Sequence, residues 1–158
     1  MTHTSTATTA GKIMLVGLGP GHPAYLTGSA RAAFATFCRD DAGWLDDYAL
    51  FMALDERHGG VWTDWPAPLV RREAKALQAA RQALADECNF WLFCQWCFDR
   101  QWKVLKDYAN EHGVELIGDM PIFVSAHSAD VWANQRLFDL SKTDFADKRG
   151  MRYVRVNA

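Results

Sequence analysis

The chain has 158 residues, 49% of them hydrophobic and 23% charged, with a formal net charge of -2. This composition is typical of a globular protein with one core, and it excludes a wholly disordered chain and a collagen-like repeat. A charge this close to zero argues against a dedicated nucleic-acid-binding protein, which usually carries a basic face. The sequence has no apolar run near the roughly 20 residues that a membrane-spanning helix needs. We therefore predict that neither nucleic acid nor a membrane is a partner.

The amino-terminal residues predict a tail, a strand and a glycine-rich loop. Residues 1–11 are polar and rich in Thr, Ser and Ala, and 12–19 form an apolar run that ends in glycines. This loop resembles a phosphate-binding loop only loosely, because His22 occupies the position of the last glycine in G-x-G-x-x-G. A tight turn without a ligand explains the glycines at least as well. No secretory signal is apparent, so we expect a cytoplasmic protein.

Two helices and an aromatic loop are predicted next. Ala-rich composition favours a helix over 24–37, and apolar residues near helical spacing favour a second helix over 41–57. The pair Gly59-Gly60 stops the second helix. The segment 62–68 carries two tryptophans and two prolines, so we expect a rigid loop without regular structure.

The segment 70–112 contains neither Pro nor Gly, which favours helix. A break near 87–89 is expected, because one uninterrupted helix would be ~60 Å long, more than the width of a small domain. Cys94 and Cys97 have the spacing of a metal or redox motif, but they lie inside this helix and lack a second Cys/His pair. We interpret both as reduced core residues and predict no metal site.

The carboxyl-terminal part predicts a small parallel sheet. An apolar run at 114–118 follows a glycine-terminated helix and precedes a polar turn, which is the order of one αβ unit. A short helix or turn is predicted over 128–138 and a last strand over 152–156. Together with the strand near 13–17, these segments predict an α/β fold that is mostly helical and has a small parallel sheet.

Two features leave a functional and a structural interpretation open. Asp119 directly follows a predicted parallel strand, where α/β proteins bind ligands, but it is equally well placed to cap a turn. The aromatic residues, 7 Trp, 9 Phe and 4 Tyr, make up 13% of the chain. They indicate either core packing or a stacking platform for a carbohydrate or aromatic ligand.

Six motifs of the central region resemble one enzyme family in their order along the chain. The motifs are AGWLDDYALFMAL (42–54), HGG (58–60), WTDWPAP (62–68), FDRQW (98–102), IGDMPIFV (117–124) and SADVWAN (128–134). Over residues 34–141 the chain resembles the 4-alpha-glucanotransferases, also called amylomaltases or disproportionating enzymes, of glycoside hydrolase family 77.

The resemblance implies a partial (β/α)8-barrel segment with a helical insertion. It implies transfer of alpha-1,4-glucan segments between maltodextrins by a retaining double displacement, with no cofactor. Asp119 matches an aspartate that lines the family's sugar site, and His127 and Trp132 match the loop beside it. These three residues are therefore the predicted substrate-binding residues, and a maltodextrin or another alpha-glucan is the predicted partner. The helix over 42–54 and the segment 62–68 match the inserted helical subdomain beside the glucan groove.

The resemblance also implies that the chain lacks the catalytic residues. In this family all three catalytic carboxylates follow the stretch that ends near Leu140, and residues 142–158 do not resemble the family's continuation. We therefore predict no catalytic residue here and an incomplete enzyme that is inactive in isolation. A non-catalytic glucan-binding or structural fragment and a chimeric or rearranged product are the alternatives. A barrel fragment exposes apolar faces and strand edges, so self-association is expected.

The amino-terminal residues 11–33 resemble a different family. The run IMLVGLGPGHPAYLT (13–27) is similar to the opening of the tetrapyrrole methylases, although His22 departs from their pattern. A methylase fragment is therefore a third alternative, and its test is binding of S-adenosylmethionine. The resulting division is a disordered tail over 1–11, a methylase-like segment over 12–33, a partial glucanotransferase domain over 34–141 and a tail of unknown origin over 142–158.

Overall fold

The structure, a computed structural model, describes residues 27–119 and 124–140, together with the backbone of 123 and 153–155. This part of the chain is mostly helical, as predicted. The α-helices are α1 (Gly28–Asp40), α2 (Ala42–His58), α3 (Ala67–Val70), α4 (Ala74–Ala83), α5 (Ala85–Glu111) and α6 (Ala129–Ala133). Short 3-10 helices cover Trp62–Asp64 and Gln135–Leu137, and the strands are β1 (Phe123–Ser125) and β2 (Tyr153–Arg155).

Helices α1 and α2 follow the sequence prediction closely. The side chain of Thr27 caps α1 by accepting a hydrogen bond from a first-turn backbone N–H, and Asp41 forms a one-residue turn between the two helices. Helix α2 ends at Gly59, whose φ of 62° lies in the left-handed region that favours glycine. The helix predicted over 41–57 is confirmed, and the one predicted over 24–37 is confirmed with a later start and end.

The long helical segment breaks earlier than predicted. Leu84, with φ -117° and ψ 30°, separates α4 from α5, so the break expected near 87–89 is wrong by a few residues. The surrounding sequence contains no helix breaker, but the Leu84 side chain is buried in the core. Core packing at Leu84 therefore decides where the segment bends. Helix α5 ends as predicted before Gly113, which has a φ of 75°.

The aromatic segment 62–68 contains regular structure, which corrects the prediction. Trp62–Asp64 forms a 3-10 turn, and α3 begins at Ala67 with Pro68 in its first turn. Proline is compatible with the first turn because the N–H that it lacks would have no helical acceptor there. Two prolines therefore place a helix start in this segment and do not exclude one.

The predicted parallel sheet is wrong for the described residues. The segment 114–118 is irregular, and the side chain of Ile117 is 93% exposed. A strand needs a neighbouring backbone to pair with, and no described segment pairs with 114–118. The strand predicted near 13–17 lies outside the described residues.

The sheet that the structure describes is a two-stranded antiparallel ribbon. Strand β1 pairs with β2, with Phe123 opposite Arg155 and Ser125 opposite Tyr153. The last strand is therefore confirmed in position, although its pairing is antiparallel. Strand β1 was not expected from the sequence, because its three residues follow directly on the polar turn predicted after 114–118.

Helix α2 separates two clusters of buried side chains. The larger cluster contains Leu50, Phe51, Ala53, Leu54, Trp62, Trp65, Leu69, Leu77, Leu84, Ala126, Val131, Trp132 and Phe138. The smaller cluster contains Ala30, Phe37, Leu45 and Trp96. Four of the tryptophans lie in these clusters, so core packing accounts for them. The larger cluster also joins α2 to the segments on either side of α3 and to α6.

Candidate functional site

Trp62 is held from two sides by the turn that follows β1. Its indole Nε1–H donates a hydrogen bond to the carbonyl oxygen of Ala126 at 2.8 Å. Its backbone N–H donates to Nδ1 of His127 at 3.2 Å. The residue is only 2% exposed, so both donors are satisfied within the protein. The 3-10 turn is thereby attached to residues more than sixty positions further along the chain.

His127 uses both ring nitrogens within the chain. Since Nδ1 accepts the Trp62 N–H, the neutral ring carries its proton on Nε2. That nitrogen lies 2.9 Å from Oδ1 of Asp55, to which it donates. The ring of Phe51 packs against the imidazole at a centroid distance of 5.3 Å. His127 is partly exposed, but its polar atoms are already paired.

Trp132 lies in the core behind His127. Its side chain is fully buried, and Nε1–H donates to the carbonyl oxygen of Leu69 at 3.0 Å. The ring of Phe51 packs against it at 5.9 Å and therefore contacts both Trp132 and His127. The guanidinium of Arg72 lies 4.2 Å from the centre of the indole. In this arrangement Trp132 supports the site from inside and presents no surface to a ligand.

Arg72 and Asp47 connect this cluster to α2. Nη2 of Arg72 donates to Oδ2 of Asp47 at 2.7 Å, and Arg81 donates to the other oxygen at 2.9 Å. Arg72 has a φ of 55°, which is unusual for a residue with a side chain. Its Nη1 is buried and has no partner among the described residues. One carboxylate therefore holds two arginines, one of them stacked on Trp132.

Asp119 is placed differently from the other two predicted residues. It is exposed and lies in the irregular segment 114–119. Of the hydrogen bonds and ion pairs among the described side chains, none joins Asp119 to His127 or Trp132. The structure thus brings His127 and Trp132 together through Phe51, and among the described residues Asp119 does not join them.

Sequence reasoning missed the partners that orient these residues. Asp55 is 72 positions from His127 along the chain, and Arg72 contacts Trp132 across a similar gap. No local motif marks such pairs. The one available signal was the helical spacing of Phe51 and Asp55, which places both on the same face of α2.

The cysteines show no sign of a redox or metal centre within the described part of the chain. Cys94 and Cys97 are both free, and Cys97 packs against the smaller core cluster. Burial raises the pKa of the Cys97 thiol, which disfavours the reactive thiolate. Among the described residues, no group of three His, Cys, Asp or Glu side chains is arranged to hold a metal ion.

The helices that the structure describes include none that is both long enough and apolar enough to cross a membrane.

The family model and the individual relatives that match this chain name the same family. The model of the glycoside hydrolase 77 family, described as 4-alpha-glucanotransferase, matches residues 22–150. This match contains Asp119, His127 and Trp132, and it begins within the segment that resembles the tetrapyrrole methylases. The 4-alpha-glucanotransferase of Thermus thermophilus is 54% identical over 113 residues, which are 71% of this chain and 23% of the relative.

A plant relative and a solved structure agree with this result. The chloroplastic/amyloplastic 4-alpha-glucanotransferase of Solanum tuberosum is 40% identical over 121 residues, 75% of this chain and 21% of the relative. The amylomaltase of Streptococcus agalactiae, solved in complex with acarbose, superposes with a TM-score of 0.68 at 37% identity. That superposition covers 73% of this chain and 24% of the amylomaltase. The chain spans less than a quarter of the length of these relatives, and it belongs to glycoside hydrolase family 77, the 4-alpha-glucanotransferases.

Proposed function

We propose that this chain is part of a 4-alpha-glucanotransferase that transfers alpha-1,4-glucan segments between maltodextrins by a retaining double displacement. The observation that carries the proposal is the family match over residues 22–150. The amylomaltase that resembles it structurally was solved with acarbose bound, which supports a glucan ligand. The activity belongs to the complete enzyme, because the family's catalytic carboxylates have no counterpart up to Leu140. No cofactor enters this chemistry.

The architecture proposed for the complete enzyme is a (β/α)8 barrel with a helical insertion. Helix α2 and the 62–68 segment form part of that insertion, and the chain supplies a fraction of the barrel. The TM-score of 0.68 against an amylomaltase supports this assignment. The proposed domain limits remain 34–141 for the glucanotransferase part, preceded by the methylase-like segment.

The proposed glucan-binding region contains Asp119, His127 and Trp132. Asp119 is exposed and can accept hydrogen bonds from sugar hydroxyls through its carboxylate. His127 and Trp132 contribute by shaping the wall behind the ligand, since their polar atoms are paired within the chain. The partly exposed edge of the His127 ring is the surface that this wall offers to a sugar.

Assays of the purified chain with maltotriose test the proposal. We expect no release of glucose and no longer maltodextrins, together with measurable binding of acarbose or maltotriose by calorimetry. Asp119→Asn is expected to weaken binding about tenfold, because a charged acceptor contributes roughly 1.5 kcal/mol more than a neutral one. Asp107→Asn, at an exposed position of α5, is the matched control and leaves binding unchanged.

Two results would overturn parts of this assignment. Release of glucose from maltotriose would show that a catalytic pair exists in this chain. Absence of any glucan binding by the folded chain would favour a purely structural fragment. That alternative is supported by one observation, namely that the chain covers 23% of its Thermus thermophilus relative.

The remaining parts of the proposal concern location and assembly. We place the protein in the cytoplasm. We also propose that it associates with itself through the apolar side chains exposed on α5 and on 114–117. Phe98, Trp102 and Ile117 are among these side chains.

A further inference from the structure

We propose that His127, oriented by Asp55, is a positioning residue that holds the Trp62 turn against α2, and that its ring nitrogens do not bind glucan. The hydrogen bonds of His127 to Trp62 and Asp55 are sufficient to support the positioning role. Its consequence for glucan recognition rests on the proposed function, because the 62–68 segment is assigned to the helical insertion on that basis.

The first step of the argument is the direction of the two hydrogen bonds. The backbone N–H of Trp62 can only donate, so Nδ1 of His127 accepts at 3.2 Å. The neutral ring then has its proton on Nε2, and the carboxylate of Asp55 accepts it at 2.9 Å. A carboxylate that fixes the tautomer and orientation of a histidine is the usual second partner of an imidazole that has a defined task. Both nitrogens are therefore committed before any ligand arrives.

The second step is what the ring holds together. Asp55 lies near the end of α2, Trp62 begins the 3-10 turn, and His127 lies between β1 and α6. Phe51 packs on the imidazole from the same face of α2 as Asp55. His127 thus links three separate segments: the end of α2, the 3-10 turn at Trp62 and its own segment between β1 and α6.

The third step is the cost of losing the contact. Trp62 is 2% exposed, so water cannot replace the acceptor for its N–H without opening the turn. The indole bond to Ala126 is independent of His127 and remains. Loss of the Nδ1 acceptor is therefore expected to loosen the backbone of the turn without releasing the indole from the core.

Two substitutions separate the two nitrogens. In His127→Asn the amide oxygen replaces Nδ1 as acceptor, and in His127→Gln the longer amide reaches the position of Nε2. Hydrogen exchange of the Trp62 amide, followed by NMR, is expected to accelerate at least about tenfold in His127→Gln and to stay near wild type in His127→Asn. The amide of Trp96, in the other core cluster, reports any general loss of stability. His127→Gln is compared with His112→Gln, which changes a histidine at the exposed end of α5.

Nitrogen chemical shifts of the His127 ring give the second readout. In the neutral form of the ring we expect a protonated Nε2 and an unprotonated Nδ1. We expect the preference for this tautomer to be weaker in Asp55→Asn. A ring protonated on Nδ1 would overturn the proposal. So would unchanged Trp62 exchange in His127→Gln together with a loss of maltotriose binding, because that pattern belongs to a direct sugar ligand. If the wild-type chain binds no glucan, the proposed function fails while the exchange and tautomer results still decide the positioning role.

Discussion

Arg72 shows how much a single residue contributes to the cluster around Trp132. Its backbone is in the left-handed region, a conformation that costs free energy for a residue with a Cβ. The cost is offset by the ion pair with Asp47, which is largely shielded from solvent, and by the stacking of the guanidinium on Trp132. The contacts of the Arg72 side chain therefore offset the free-energy cost of its backbone conformation.

Replacement of Arg72 tests this account. Arg72→Ala retains the backbone strain and loses both contacts, so we expect the free energy of unfolding to fall by about 1–3 kcal/mol. The neighbouring Arg71 has an exposed ion pair with Glu73 and provides the control. Arg71→Ala is expected to change stability by less than about 0.5 kcal/mol. Urea unfolding followed by tryptophan fluorescence measures both, and equal effects would contradict the argument.

The partly buried thiols of three cysteines predict a dependence of stability on pH. Burial raises the pKa of Cys38, Cys88 and Cys97, with nearby Arg81 partly opposing the effect at Cys88. Each thiol is then protonated near neutral pH, so alkylation by iodoacetamide is expected to be slower in the folded chain than in the urea-unfolded chain. As the pH rises through the ordinary thiol range, the unfolded state loses these protons first. The stabilising contribution is therefore present below that range and is lost above it.

At the scale of the elements, α2 organises the described structure. Its residue Leu45 packs in the smaller cluster, whereas Leu50, Phe51 and Leu54 pack in the larger one. A helix that buries two faces depends on correct termination, because a longer helix would carry the following 3-10 turn away from His127. The glycine at its end is therefore a structural requirement.

Two substitutions by alanine test this dependence, one at Gly43 inside α2 and one at Gly59, which follows the helix. A Cβ at either Gly59 or Gly43 meets no atom within 4 Å, so only the backbone distinguishes the two sites. Gly59→Ala places alanine at a φ of 62° and a ψ of -171°, a combination that is essentially restricted to glycine, and is expected to destabilise the protein by about 1–3 kcal/mol. Gly43→Ala lies inside the helix and is expected to stabilise it by about 0.5 kcal/mol. The midpoint temperatures of thermal unfolding of the two variants should therefore shift in opposite directions from that of the wild type.

At the scale of the whole molecule, large apolar side chains are exposed along α5 and the segment that follows it, as expected for surfaces that are covered in a larger fold. The second half of α5 and the following segment expose several large apolar side chains, and Ile117 is 93% exposed. Monomeric proteins rarely expose such groups together. The chain spans 23% of its Thermus thermophilus relative.

Self-association is the expected consequence for the chain by itself. Ile117→Lys is expected to shift the protein toward monomer in sedimentation velocity, because a charge disrupts an apolar contact. Asn110→Lys adds the same charge at an exposed polar position of α5 and provides the control. A wild-type chain that sediments as a monomer at all concentrations would refute the prediction.

The sequence by itself determined the family, the limits of α2 and the end of α5. The six motifs between residues 42 and 134, taken in order, were sufficient to indicate the 4-alpha-glucanotransferases, which the family match confirms. The ends of α2 and α5 were predictable because Gly59 and Gly113 act locally, through a φ that other residues rarely adopt.

Features that depend on residues far apart in the sequence were decided only by the tertiary structure. Burial of Leu84 placed the break between α4 and α5, although the local sequence favours an unbroken helix. The apolar run at 114–118 is irregular because strand formation requires a neighbouring backbone, which hydrophobicity alone does not supply. The hydrogen bonds that join Asp55, His127 and Trp62 cross more than sixty positions, and only the packing of α2 against the turn after β1 brings those atoms together.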